Sequence, residues 1–185
     1  MTPEIVMDIG RQAVEMTLLL SAPLLLAALA EGETLVEDLL DSDDTRVMRN
    51  AIVALGVTVT EEGRALRVSG CGGRFPNLNA DIFVGNSGLS IRTLVPAIVT
   101  SLSGCADADA EVRLSGVPRM HERPIGDLVD GLKQLGACVE WLGQEGYPPL
   151  ALKPALLGAE YVSVRGSVSM ASTVAFLAAS CCISS

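Results

Sequence analysis

The sequence predicts a mixed α/β (α+β) fold of repeated β-α-β-α-β-β units. Three observations carry that expectation: an internal repeat, two helical segments ending in the same stop, and a core composition poor in aromatic residues. Ala51 to Ser69 reads AIVALGVTVTEEGRALRVS, and Gly131 to Leu152 reads GLKQLGACVEWLGQEGYPPLAL. Each is the end of a helix, a Leu-Gly stop, a strand, a turn containing Glu and Gly, and a second strand. Aromatic residues make up 3% of the chain, so the core falls to Leu, Val, Ile and Ala, which suit packing between helices and sheets.

Taken in order, Met16 to Ala30 is apolar apart from Thr17 and Ser21. It is short of the roughly 20 residues a bilayer requires and is interrupted by Pro23, so it reads as a buried helix rather than a membrane span. Glu4, Asp8 and Glu15 stand where a signal peptide would be basic. A short strand is expected at Thr34 to Val36. The next helix places Val47, Met48, Ala51, Ile52 and Leu55 on one face, with Ser42 or Asp43 as N-cap. The strand-turn-strand then completes a copy whose opening strand is missing. The second copy reads in full: a strand at Asp81 to Val84, a GNSG loop, a helix carrying Ile91, Leu94, Val95 and Ile98, and a strand at Glu111 to Leu114. A helix with Ile125, Leu128, Val129, Leu132 and Leu135 on one face follows, and then the hairpin. A strand at Tyr161 to Val164, the Gly166-Ser167 turn and an apolar helix from about Met170 would open a third copy, so the architecture reads as truncated at both ends.

A formal net charge of −9 with no run of Lys or Arg among aromatics excludes nucleic acid as an expected partner. Several arginines nonetheless fall in Gly- and Pro-marked loops, at Arg92, Arg119, Arg123 and Arg165, which fits small anions. Five cysteines, an odd number without a CxxC pair, fit a reducing compartment, so a cytoplasmic protein is expected. The single histidine, His121, has no clustered ligands beside it, and no metal is expected.

The GNSG loop sits where a strand ends and a helix begins, so its N–H groups and the positive end of the helix dipole face an incoming anion. Arg119 offers a planar fork matched to carboxylate or phosphate oxygens and stays charged at any working pH. Arg123, fixed by Pro124, is expected to hold its loop to the acidic segment. Within Asp41-Ser42-Asp43-Asp44 the acids read as caps and dipole partners of a first helical turn, with Asp44 in a positioning role. His121 reads as a solvated loop histidine.

The segments LLLAALAEG (Leu24 to Gly32), LLDSDDTRVM (Leu39 to Met48), GNSGLSIRTL (Gly85 to Leu94), PRMHERPIGDLVDGLKQLGA (Pro118 to Ala137), QEGYPPL (Gln144 to Leu150) and GSVS (Gly166 to Ser169) resemble the enolpyruvylshikimate-phosphate synthase family, in its order and spacing. That family has six β-α-β-α-β-β units in two domains, the inside-out barrel of the enolpyruvyl transferases. The resemblance implies transfer of the enolpyruvyl group from phosphoenolpyruvate to shikimate 3-phosphate by addition and elimination, without metal or organic cofactor. It implies phosphoenolpyruvate binding at Gly88 and Arg119, loop support from Asn86, Arg92 and Asp44, and shikimate 3-phosphate binding at Ser169. The opening MTPEIVMDIGRQAVEMTLLLSAPLLL resembles instead the start of a small inner-membrane protein of the flagellar export apparatus.

The departures from the family matter as much. Where its first anion loop has lysine, serine and arginine, this chain has Thr17, Leu18 and Ala22; Met170 and Ala171 replace a serine and a glutamine that contact substrate. Leu89 and Thr93 stand where threonine and proline are usual, in the wall behind Gly88. The expected organisation is an atypical N-terminal helix over 1–23, a partial synthase-like domain of two units over 24–169, and a divergent start of a third over 170–185. No catalytic residue is assigned, and the chain alone is expected not to turn over. The rival readings are a non-catalytic anion-binding fragment or fusion product and a transferase acting on a UDP-amino sugar. Exposed sheet edges are expected to invite self-association.

Overall fold

The computed structural model describes residues 6–7 and 16–158. The chain divides into two compact units, residues 1–77 and 78–185. Each is built on the same plan.

In the first unit, β1 (Val6–Met7) is followed by α1 (Met16–Leu29), β2 (Glu33–Val36), α2 (Asp43–Ala54), β3 (Thr58–Glu62) and β4 (Ala65–Ser69). In the second, β5 (Ala80–Phe83) leads to α3 (Gly88–Leu102), β6 (Val112–Ser115), a 3-10 turn (Pro118–Glu122), α4 (Gly126–Gln134), β7 (Cys138–Trp141) and β8 (Leu150–Lys153). The sheets run β1-β2-β4-β3 and β5-β6-β8-β7. In both, the first two strands are parallel across a helical crossover and the other pairs are antiparallel. The repeated β-α-β-α-β-β unit is therefore present twice.

The opening strand expected to be missing from the first copy is present. Val6 and Met7 pair in parallel with Leu35 and Val36, the place that β5 holds beside β6. Two residues are too few to show the alternation that marks a strand in sequence. Nor does Pro23 interrupt the first helix, which runs 14 residues through it. No helix among the described residues is long and apolar enough to cross a membrane.

Both Leu-Gly stops close their helices alike. Gly56 (φ 89°) and Gly136 (φ 99°) adopt the left-handed conformation that glycine takes without a Cβ penalty. The N–H of Gly56 donates to Val53 and that of Val57 to Ile52; Gly136 to Lys133 and Ala137 to Leu132 repeat the pattern. These crossed bonds satisfy carbonyls that the helix end leaves open and turn the chain straight into a strand. At the other end of α2 the cap is Ser42, whose Oγ accepts from the Thr45 N–H at 3.2 Å.

The faces read from the sequence meet the cores. Met48, Ile52 and Leu55 are fully buried in the first unit, where α1 packs on α2, β2 and β4. Leu128, Val129 and Leu132 are fully buried in the second. The centre of the second unit is α3, apolar nearly all round, with Ile91, Leu94, Val95, Ile98 and Leu102 inaccessible. Burying a Leu or Ile side chain is worth about 1.5–3 kcal/mol, so this helix anchors the unit and holds the loop at its start.

Candidate functional site

The GNSG loop leaves β5 with the Val84 N–H donating to Ser115 at 2.8 Å, so the loop begins level with the end of β6. Gly85 turns the chain at φ 55°. Ser87 caps α3: its Oγ accepts from the Ser90 N–H at 3.2 Å and donates to the Ser90 hydroxyl at 2.7 Å. Both serines are buried, so the pair satisfies polar groups that water does not reach. The start of a long, rigid helix is thereby fixed with its free N–H groups toward the loop.

The segment after β6 is tied to this loop. The N–H of Val117 donates to the Gly85 carbonyl at 3.0 Å, and the 3-10 turn follows at once, with Met120 buried beneath it. Arg119 lies on the exposed side of that turn; its side chain makes no ion pair or hydrogen bond among the described residues. Arg92, one turn into α3 rather than in a loop, donates one Nη to the Gly88 carbonyl at 2.7 Å and the other to the Pro124 carbonyl at 3.0 Å. Burial, and then the neighbouring Arg123, hold its pKa below the ordinary arginine value.

Arg123 departs from expectation. It forms no ion pair with any described carboxylate, and its guanidinium lies instead over Gly88 beside that of Arg92. Two loops distant in sequence bring it there, a placement no local pattern encodes. The clue available in the sequence was Pro124, which confines Arg123 to extended backbone. His121 is not simply solvated either: it is half-buried, and its Nε2 accepts from the Gly116 N–H at 3.4 Å.

The structure therefore brings Gly88, Arg92, Arg119 and Arg123 onto one loop cluster of the second unit, with Asn86 exposed in the same loop. Thr93 turns its hydroxyl back onto the Leu89 and Ser90 carbonyls at 3.1 and 3.2 Å. Asp44 belongs to the first turn of α2 in the other unit. Arg165, Ser169, Met170 and Ala171 lie outside the described residues. Cys71, Cys105 and Cys138 are free thiols, and among the described residues no group of three or more His, Cys, Asp or Glu side chains comes together as a metal site. Two guanidiniums, of Arg92 and Arg123, lie beside a capped helix start, and the exposed Arg119 stands on the turn stitched to that loop; none of the three is paired with a described carboxylate, an arrangement suited chemically to an anion.

Comparison with known proteins gives the same direction. The chain is 56% identical over 158 residues to the 3-phosphoshikimate 1-carboxyvinyltransferase of Ralstonia pickettii (strain 12J), covering 84% of this chain and 35% of that protein. It is 56% identical over 147 residues to the enzyme of the same name from Cupriavidus necator, covering 79% of this chain and 32% of the relative. The chain thus spans about a third of the length of the curated relatives it matches. Among solved structures, the EPSP synthase from Acinetobacter baumannii shares the fold with a TM-score of 0.71 at 20% identity, over 85% of this chain and 35% of that one. The family model for EPSP synthase (3-phosphoshikimate 1-carboxyvinyltransferase) matches residues 20–182, and the chain belongs to that family.

Proposed function

We propose that this chain carries the phosphoenolpyruvate-binding loops of an enolpyruvyl transfer to shikimate 3-phosphate, with Arg119 and Gly88 as the contacts and Arg92 and Asn86 as support. The observation that carries the reading is the pair Arg92 and Arg123 over Gly88 at the start of α3, with the exposed Arg119 on the turn bonded to the same loop and no described carboxylate to neutralise them. Cations set side by side repel one another, and that repulsion is relieved when an anion joins them. Family membership supports the choice of anion, since the curated relatives are named 3-phosphoshikimate 1-carboxyvinyltransferase. Ser169 is assigned to shikimate 3-phosphate and Asp44 to positioning within the first unit. The reading needs no metal or organic cofactor and supposes a cytoplasmic setting.

Self-association accompanies this proposal. The edge strand β5 presents Phe83, 60% exposed, beside backbone groups that no described strand pairs on that side.

The direct test is titration of phosphoenolpyruvate into the 185-residue chain, following backbone amide shifts by NMR at low salt. Shifts confined to residues 85–92 and 117–124 are expected. Shifts spread over both units, or none at millimolar ligand, would leave the anion-binding reading without support.

A further inference from the structure

Gly88 is the first residue of α3, and its backbone lies outside the left-handed region, so conformation does not require glycine there. What glycine supplies is the missing side chain. A Cβ at this position would stand 2.7 Å from an Arg123 Nη and 2.8 Å from an Arg92 Nη. Both are the far ends of flexible side chains, so an alanine would fit by pushing the guanidiniums away while the backbone stays in place.

The Arg92 guanidinium ties the start of α3 to the second loop, and that of Arg123 lies beside it over Gly88. Arg92 reaches the Gly88 carbonyl on its own helix at 2.7 Å and, with its other Nη, the Pro124 carbonyl 32 residues onward at 3.0 Å. Arg123 enters from that second loop, with extended backbone and its N–H donating to Met120 at 3.1 Å. We propose that Gly88, Arg92 and Arg123 form a latch that sets the spacing between the start of α3 and the turn carrying Arg119. Gly88 and Arg123 are positioning residues in this arrangement, the first through its lack of a Cβ. The latch rests on the proposed function for its ligand, but its geometry is testable without one.

The ligand-free test is amide hydrogen exchange in the whole chain. The N–H groups of Met120 and Arg123, bonded to Val117 and Met120 at 2.8 and 3.1 Å, report on the turn. Gly88→Ala is expected to speed their exchange at least tenfold while the Val129 amide of α4 is unchanged. Arg92→Lys, able to reach only one of the two carbonyls, should do the same by a second route and keeps the test open if Gly88→Ala fails to fold. Unchanged exchange in the turn of a folded variant would overturn the latch. With phosphoenolpyruvate as probe, Gly88→Ala should bind about tenfold more weakly, and Gly88→Ala/Arg123→Ala no more weakly than Arg123→Ala alone, because Arg92 then has room to shift. Losses that multiply in the double variant would also overturn it. A native chain that binds no phosphoenolpyruvate refutes the functional reading, and the exchange data then decide the latch alone.

Discussion

The N–H of Val117 donates to the carbonyl of Gly85 at 3.0 Å, so the turn bearing Arg119 and the loop bearing Gly88 are stitched together at their bases. On the proposed function a charge held at such a join acts as a site, whereas an equal charge elsewhere adds only to the general field. Arg119→Ala should therefore weaken phosphoenolpyruvate binding roughly ten- to a hundredfold, the effect of losing one charge-assisted contact. Arg64→Ala is the control, since Arg64 lies in the β3–β4 turn, exposed and paired with Asp38 at 3.0 Å. Equal losses in the two variants, read from NMR titrations, would mean diffuse electrostatics.

Gly116 allows that stitch to form. A Cβ there would collide with the Gly85 carbonyl and lie 2.8 Å from the Met120 side chain, which is fully buried. Backbone cannot step aside as a guanidinium can, so Gly116→Ala should destabilise the second unit by about 1–3 kcal/mol. Gly158→Ala, with open space around its Cβ, should be close to neutral. Urea denaturation of both variants would check the contrast.

The buried Ser87–Ser90 pair gives a second measure of how the start of α3 is held. Ser87→Ala removes the cap and leaves the Ser90 hydroxyl without its donor, at 0% exposure. A cost of about 1–2 kcal/mol is expected, larger than for an exposed cap. Comparison with Ser42→Ala at α2, whose Oγ accepts the Thr45 N–H in a half-buried setting, isolates the contribution of burial.

Acid should loosen both sheets through the same device. Arg67 on β4 bonds Glu62 at 2.6 Å and Glu33 at 3.1 Å, and Lys153 on β8 bonds Glu140 at 2.7 Å. Arg67 holds the Glu62 carboxyl below the usual range, and Arg113, with Lys153 adding to it, does so for Glu111. A carboxylate whose pKa is lowered by folding contributes stability above its unfolded pKa of about 4.3, and that contribution fades as pH falls through the lowered value. The groups are exposed, so each contribution is small and weakened by salt. Melting temperature should fall less steeply below about pH 4.3 in Glu62→Gln/Glu111→Gln than in the native chain. Parallel curves would show that the pairs do not matter.

The parts of the fold that were legible in sequence are those set by local chemistry. Leu55-Gly56 and Leu135-Gly136 announce helix stops because only glycine takes the required backbone cheaply, and the Ile91, Leu94, Ile98 spacing announces a buried helical face. The strand at Val6–Met7 was hidden because it exists through its partner, β2. Arg123 was misplaced for the same reason at the level of a side chain: its position depends on loops 32 residues apart being drawn together by Arg92. Among candidate site residues, Arg119 stands out in sequence because a motif surrounds it, whereas the two guanidiniums that lie over Gly88 do not, because an absent side chain leaves no pattern.

The two units share strand order and helix stops yet dress the corresponding crossover in opposite charge. After β2 the connector Glu37-Asp38-Leu39-Leu40-Asp41-Ser42 carries three acids and no base, whereas after β6 it presents Arg119, His121 and Arg123 beside the single acid Glu122. A scaffold closed by its own hydrogen bonds leaves this connector free to change polarity without disturbing the sheet behind it. The same β-α-β-α-β-β plan therefore carries an acidic connector in one unit and a basic one in the other.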